Sequence, residues 1–244
     1  MILAIEDLPS AGAGKRALTD MQAYYTTGPW APSLLQVASR SVPGSVHPYE
    51  DRVLVDEKTG LFAVADGVTC SSQGSGGVAA ELSLDLLREN FSGDLVSAIN
   101  KVHQTVLMKR NNDKTIGETT LTAVAIHEES LQAANVGDSP AYLVKGKEMR
   151  SLIQEDRNPY GYITQVIGHP ETLLVHSVHI QLEEGDLVVV ASDGVGHVLH
   201  PSLVDSLAGR PDVNEIADAI IDEARVNASP YDDDKSIIVL RILR

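Results

Sequence analysis

Residues 61–67 read LFAVADG, an apolar run that ends in an Asp-Gly pair. A short apolar run bounded by a turn signal predicts a buried β-strand. Residues 187–194 repeat this arrangement as LVVVASDG. Because glycine allows the backbone to turn sharply, each pair predicts a carboxylate, Asp66 or Asp193, held at the end of a strand.

Strand-like and helix-like segments extend on both sides of these two runs. Apolar runs predict further strands at 52–55, 119–126, 131–136, 141–144, 174–181 and 236–243. Apolar residues three or four positions apart predict two consecutive helices that separate near residues 92–93, and a later helix through residues 216–224. Strand pairs around a helix pair, followed by more strands and a final helix, predict an α+β layered domain.

The predicted organisation is one domain behind an irregular arm. Residues 1–34 contain several glycines and prolines without a sustained apolar period, which predicts an irregular N-terminal arm. Residues 35–244 carry the alternating elements and form the predicted domain. Within it, the segment at about 150–170 shows no clear strand or helix face, which predicts a short surface flap.

Charge and composition restrict the classes of partner. The chain of 244 residues has 34 acidic and 19 basic residues, a net charge of −15. This charge disfavours nucleic acid, and it repels phosphorylated substrates unless a bound cation reverses the local field. A single cysteine, Cys70, excludes an intramolecular disulfide. The apolar runs are too short to span a bilayer and no signal peptide is recognised, so we expect a cytoplasmic protein with no membrane partner. We also expect a monomer.

More carboxylates stand beside the predicted strands. Glu50 and Asp51 precede the first hairpin, and residues 232–234 are three consecutive aspartates before the final strand. Converging carboxylates repel one another unless they are protonated or neutralised. Mg²⁺ and Mn²⁺ prefer such oxygen ligands, and no Cys/His cluster has zinc spacing. The pattern predicts a site for a hard divalent cation, with ordinary turn and capping aspartates as the alternative.

Four segments resemble, in order, the motifs of the protein phosphatase 2C family. They are Glu50-Asp51; residues 61–67; residues 117–121 followed by 135–139; and residues 191–194 followed by 233–236. Together they cover about residues 35–244, which the resemblance identifies as a catalytic domain. The resemblance implies a four-layer α-β-β-α sandwich, with two central antiparallel sheets flanked by helices and a metal cleft at one end.

The resemblance also implies a site with two divalent metal ions, Mg²⁺ or Mn²⁺. Asp66 is expected to bridge both ions and Gly67 to donate its backbone carbonyl, while Asp193 and Asp233 ligate one ion. Asp66, Asp193 and Asp233 are therefore the expected catalytic residues. In this mechanism, water activated by the two metals attacks the phosphorus in line.

Four other residues have expected roles around the ions. Asp138 matches an aspartate that helps to bind a third metal in some bacterial members of the family. Glu50 and Asp51 are expected to hold metal-bound waters. The family usually has a phosphate-gripping arginine shortly before Glu50, which this sequence lacks. His47 is the nearest basic residue and the expected phosphate-binding residue, although a neutral histidine grips phosphate less well than arginine does.

These features imply an Mg/Mn-dependent serine/threonine phosphoprotein phosphatase that acts in signalling on phosphorylated protein substrates. The alternative is a non-catalytic, phosphatase-like binding module (a pseudophosphatase) that engages a protein partner. The intact aspartate set favours the enzyme, whereas the missing arginine favours the module or a narrowed range of substrates.

Overall fold

The computed structural model describes residues 34–228 and 232–243. The predicted N-terminal arm therefore lies outside the described residues, apart from Leu34, where the first strand begins. The strands are β1 (Leu34–Val42), β2 (Arg52–Asp56), β3 (Leu61–Ala65), β4 (Leu121–His127), β5 (Ser130–Val136), β6 (Ala141–Lys145), β7 (Glu148–Ser151), β8 (His176–Gln181), β9 (Leu187–Ala191) and β10 (Lys235–Leu243). The helices are α1 (Gly76–Asn90), α2 (Leu95–Asn112), α3 (Asp193–Gly196), α4 (Pro201–Ala208) and α5 (Val213–Val226).

The strands form two five-stranded antiparallel sheets. One sheet has the order β1-β10-β9-β6-β7 and the other has the order β2-β3-β4-β5-β8. Helices α1 and α2 pack on the second sheet, and α5 packs on β1 and β10 of the first. The predicted α+β sandwich is confirmed.

Side chains that alternate along each strand create three apolar layers. In β3, Leu61 and Ala63 face the helices α1 and α2, whereas Phe62 and Val64 enter the layer between the sheets. In β9, residues 188 and 190 enter the same central layer, and residues 187, 189 and 191 face the helices of the other side. Because both faces of these central strands are buried, their sequences are continuous apolar runs rather than alternating ones.

The pairing registers bring the acidic loops to one end of each sheet. The start of β2 pairs with the end of β3, and the start of β4 pairs with the ends of both β3 and β5. In the other sheet, the start of β10 pairs with the end of β9. Carboxylates that follow β3, β5 and β9, or that precede β2 and β10, therefore share one end of their sheets.

Several elements differ from the sequence-based predictions. Strands β1 and β7 and the short helices α3 and α4 have no counterpart among the predicted elements. In β1, Leu35 and Val37 are buried between the sheets, but the polar Gln36 between them and the polar residues 39–41 obscure the apolar pattern. The strand predicted from 174 begins at His176, and the one predicted from 119 begins at Leu121.

Between β7 and β8 the chain forms an irregular connection, residues 152–175, which we call the flap. Its only regular pairings are isolated bridges, one between Arg157 and Ile163 and one between Thr119 and Ile167.

No helix in the described part of the chain is both long enough and apolar enough to cross a membrane.

Two glycines allow the first helix to approach the end of β3. A Cβ on Gly67 would lie 2.3 Å from the carbonyl carbon of Gly76, and one on Gly76 would lie 2.4 Å from that of Gly67. Real Cβ atoms do not come so close to backbone atoms. The start of α1 is therefore pressed directly against the Asp-Gly turn that carries Asp66.

We expect Gly76→Ala to lower the free energy of unfolding by about 1–3 kcal/mol, because overpacking against backbone outweighs the better helix propensity of alanine. Gly209→Ala is the matched control. Gly209 has φ −76°, and no atom lies within 4 Å of the position that an alanine Cβ would take, so the change should stay within about 0.5 kcal/mol. Urea titrations measure both values. Equal stabilities for the two variants would contradict the close packing.

Candidate metal centre

Backbone hydrogen bonds hold Asp66 at the end of β3. Its carbonyl accepts hydrogen bonds from the N–H of Thr120 at 2.8 Å and from the hydroxyl of Thr119 at 2.9 Å. Its own N–H donates to the hydroxyl of Thr120 at 3.0 Å. Both threonines belong to the segment that matches the third motif, so that motif fixes the position of the first aspartate.

The side chain of Asp66 lies at the centre of the acidic group. Burial raises the pKa of Asp66 well above 3.8, and the charges of Asp51, Asp193, Asp233 and Asp138 raise it further, in that order of size. Repulsion of this kind requires the five carboxylates to be close together in a medium that screens them poorly. The structure therefore gathers the aspartates predicted from four separate segments of the chain.

Asp138 and Asp193 share one guanidinium group. The Nη2 atom of Arg157, on the flap, lies 2.8 Å from Oδ2 of Asp138 and 3.0 Å from Oδ2 of Asp193. Burial raises the pKa of Asp138 to about 6; Arg157 counteracts this rise and Asp193 adds to it. A protein cation thus neutralises part of the charge of these two carboxylates.

Asp233 is paired with His47 on another side of the group. The Nε2 atom of His47 lies 2.6 Å from Oδ1 of Asp233, and its Nδ1 atom lies 2.9 Å from the carbonyl oxygen of Pro48. Burial lowers the pKa of His47, but the bonds to Pro48 and Asp233 outweigh it, and the net pKa is above 6.5. Both ring nitrogens have acceptors, which favours the imidazolium form.

Asp51 is buried without a good partner. Its side chain is 1% exposed, and neither oxygen accepts a well-formed hydrogen bond from the described residues. Burial raises its pKa from 3.8 to about 7; the nearby hydroxyls of Ser236 and Ser192 oppose this, and Asp234 and Asp233 add to it. A buried carboxylate in this state is costly, because these hydroxyls compensate only in part for the water it has lost.

Glu50 and Asp234 organise the backbone around Asp51. The carboxylate of Asp234 accepts hydrogen bonds from the N–H groups of Gly44, Glu50 and Asp51, at 2.7, 2.6 and 3.2 Å. The carboxylate of Glu50 accepts from the hydroxyls of Thr69 and Ser75 and from the N–H of Gly77, at 3.0–3.2 Å. Glu50 therefore ties its own loop to the start of α1.

The acidic residues open onto one cleft of about 250 Å³. It is lined by Asp66, Gly67, Val68, Thr69, Thr120, Asp138, Arg157, Gly161, Tyr162, Ile163, Asp193 and Asp233. Five of the predicted site residues thus share one surface, while Glu50 and Asp51 are buried and His47 reaches the group through Asp233.

The donor set suits a hard divalent cation, although the cage is not preformed. Across residues 34–228 and 232–243, no three His, Cys, Asp or Glu side chains converge closely enough to hold a metal ion. Protein cations hold Asp138, Asp193 and Asp233 instead. The oxygens of Asp51, which lack a well-formed hydrogen bond, and the carboxylates that surround Asp66 favour the binding of further positive charge there. Carboxylate oxygens of this kind fit Mg²⁺ or Mn²⁺.

Two participants have no clear signal in the sequence. Asp234 is not among the residues expected to act at the site, but in the structure it holds the backbone of Glu50 and Asp51. Three consecutive aspartates give no sign of which one points inward. Arg157 is a lone arginine in an irregular segment, so neither periodicity nor a motif marks it.

Sequence comparisons place the chain among known phosphatases. The family model described as "Protein phosphatase 2C" matches residues 44–229. A relative named "Probable protein phosphatase 2C 39", from Arabidopsis thaliana, is 26% identical over 238 residues, with 80% of this chain and 81% of the relative covered.

Solved structures share the fold at lower identity. The serine/threonine phosphatase PstP/Ppp of Mycobacterium tuberculosis is 23% identical with a TM-score of 0.74, covering 86% of this chain and 99% of the other. The catalytic domain of PstP in complex with two manganese ions is 24% identical, also with a TM-score of 0.74, and covers the same shares. With the family model matching most of its length, the chain belongs to the protein phosphatase 2C family.

Proposed function

We propose that this chain is a metal-dependent phosphoprotein phosphatase that hydrolyses phosphoserine and phosphothreonine in proteins with two Mg²⁺ or Mn²⁺ ions. The observation that carries the proposal is the repulsive group around Asp66, whose pKa is raised by burial and by four neighbouring aspartates. Such an arrangement destabilises a protein unless cations bind there. Membership of the protein phosphatase 2C family supports phosphate ester hydrolysis as the reaction at that cation site.

The proposed ligands follow the predicted assignment. Asp66 would hold both ions and Gly67 would donate its backbone carbonyl, Asp193 and Asp233 would hold one ion, and Asp138 would help to hold a third. When bound, such ions neutralise phosphoryl oxygens and lower the pKa of water, so that it attacks phosphorus at neutral pH. No covalent step on the protein is needed, so the exposed Cys70 need not act as a nucleophile.

The remaining residues orient the ligands and the waters between them. Thr119 and Thr120 fix the backbone of Asp66, and Asp234 fixes the backbone of Glu50 and Asp51. Glu50 and Asp51 stay the proposed holders of metal-bound water. The buried Asp51 needs a donor for its oxygens, and an ordered water would supply one.

A binding module is the second candidate. The observation that favours it is that Arg157 and His47 already pair with three carboxylates in the cleft. If these ion pairs outcompete metal ions, the chain keeps the fold but does not turn over substrate. Partner binding through the same cleft is then the remaining function.

Metal-dependent turnover separates the two candidates. We expect hydrolysis of p-nitrophenyl phosphate and of a phosphothreonine peptide with Mn²⁺, loss of both activities with EDTA, and recovery with excess Mn²⁺. Phosphate release is the measurement. If no turnover occurs over a range of Mn²⁺, Mg²⁺ and pH, the enzyme is contradicted and the binding module is favoured.

Asp66→Asn and Asp193→Asn should each lower kcat/KM by about a hundredfold or more, since each removes a charged ligand from the reacting centre. Asp222→Asn is the control, because Asp222 is an exposed residue of α5 that pairs with Arg225. Its activity should equal that of the wild type. Circular dichroism verifies folding. Wild-type turnover in Asp66→Asn at saturating Mn²⁺ would exclude the proposed ligand set.

Asp51→Asn should stabilise the metal-free protein. A pKa raised from 3.8 to about 7 means that ionised Asp51 destabilises the fold progressively as pH rises through that window. At pH 8 the neutral amide should therefore raise the free energy of unfolding by about 1–3 kcal/mol. Thermal melts should also show that Mn²⁺ stabilises the wild type more than the variant. A metal-free variant less stable than the wild type would contradict the charge deficit.

A further inference from the structure

Arg157 is fixed in the cleft by the residue before it. Asp156 is buried, and its N–H donates to the carbonyl oxygen of Gly137 at 3.0 Å. In return, Oδ2 of Asp156 accepts from the N–H of Gly137 at 2.8 Å, and Oδ1 pairs with Nε2 of His176 at 2.9 Å. Gly137 immediately precedes Asp138. The hydrogen bonds between Asp156 and Gly137 therefore place Arg157 beside Asp138, independently of the contacts of the guanidinium group.

The tip of the flap supports the same placement. Oδ1 of Asn158 accepts hydrogen bonds from the N–H groups of Tyr160 and Tyr162, at 2.9 and 3.1 Å. This folded tip presents the carbonyl oxygen of Gly161 to Nη1 of Arg157, at 3.0 Å. Nη1 thus has a partner within the flap itself.

The other end of the guanidinium has exchangeable partners. Nη2 contacts only the carboxylates of Asp138 and Asp193 among the described residues, and the side chain is 34% exposed. Both carboxylates are proposed metal ligands. A divalent cation bound to them would neutralise their negative charge and so weaken their attraction for Nη2. One guanidinium N–H cannot compete for these carboxylates with a doubly charged ion.

A phosphate group that enters this cleft needs such a partner. Among the described residues lining the cleft, Arg157 carries the only positive charge, against four aspartates. The planar guanidinium matches phosphate oxygens with two parallel hydrogen bonds, which a point charge cannot do. His47 is less suitable, because it does not line the cleft, and an imidazole lacks the guanidinium fork that forms two parallel hydrogen bonds.

We propose that Arg157 binds the phosphate group of the substrate, and that cation binding at Asp138 and Asp193 releases its guanidinium for this task. This inference rests on the proposed function and supplies the phosphate-binding arginine that is missing before Glu50. In the metal-free arrangement Arg157 neutralises the carboxylates; in the loaded one it faces the phosphate. Metal loading and substrate binding are then coupled through one side chain.

Titration with Mn²⁺ alone tests the first half of the proposal. Calorimetry compares the wild type, Arg157→Gln and the control Arg150→Gln, an exposed arginine of β7 whose loss changes the net charge equally. Without its internal competitor, Arg157→Gln should bind Mn²⁺ several-fold more tightly, while Arg150→Gln should match the wild type. Equal or weaker Mn²⁺ binding by Arg157→Gln overturns the competition.

Binding of inorganic phosphate to the Mn²⁺-loaded proteins tests the second half. Hydrogen bonds to charged groups predict a loss of about ten- to one-hundredfold in phosphate affinity for Arg157→Gln. The phosphate affinity of Arg157→Lys should lie between those of the wild type and Arg157→Gln, because lysine keeps the positive charge but cannot form the two parallel hydrogen bonds of a guanidinium. His47→Gln should lose less than Arg157→Gln. Wild-type phosphate affinity in Arg157→Gln, or a larger loss in His47→Gln, overturns the assignment.

Failure of the proposed phosphatase function can be distinguished from failure of the proposed role of Arg157. Both titrations need no turnover, so a protein that binds Mn²⁺ and phosphate as expected but hydrolyses nothing contradicts the proposed function and leaves the role of Arg157 intact. A protein that hydrolyses p-nitrophenyl phosphate with Mn²⁺ while Arg157→Gln retains wild-type KM and phosphate affinity contradicts the role of Arg157 alone. Thermal melts of every variant confirm that the fold is kept.

Discussion

Repulsion among the carboxylates at one end of the sandwich is the main electrostatic cost that the fold has to offset. Burial and neighbouring aspartates raise the pKa of Asp66, and Asp51 has no good hydrogen-bond partner among the described residues. Unpaired buried charge of this kind lowers stability, so the surrounding fold must hold the group together against its own electrostatic energy. In the described residues, Arg157 and His47 offset part of that energy. They leave the carboxylates around Asp51 and Asp66 in need of further positive charge.

Strand pairing and close backbone packing hold the carboxylates together against this repulsion. Strand registers bring the acidic loops to the same end of each sheet, and the contact between Gly67 and Gly76 presses α1 against the turn that carries Asp66. Gly194 has a similar role in the other sheet, since a Cβ there would lie 2.0 Å from the carbonyl oxygen of Asp234. Glycine is required at these positions because backbone meets backbone. The apolar layers above and below the sheets make these approaches rigid.

Much of the fold, and the convergence of the aspartates proposed as metal ligands, was accessible from the sequence, for identifiable reasons. Central strands such as β3 and β9 are buried on both faces and leave continuous apolar runs, and an Asp-Gly pair after such a run marks a site locally. Contacts that depend on the path of an irregular segment are not marked by any comparable pattern in the sequence. Arg157 meets Asp138 only because Asp156 binds Gly137, 19 residues earlier in the chain. The inward orientation of Asp234 likewise depends on its partners Gly44, Glu50 and Asp51, which lie in another segment.

Divalent cations must occupy the acidic group if the repulsion around Asp66 serves catalysis. Anomalous diffraction from crystals soaked in Mn²⁺ tests this requirement most directly, because manganese positions are observed without any assumption about activity. We expect at least two strong peaks in the cleft, within coordination distance of Asp66, with Asp193 and Asp233 ligating one of them. A map with no manganese peak beside Asp66 at millimolar Mn²⁺, in crystals whose cleft is open to solvent, would contradict the proposed metal centre.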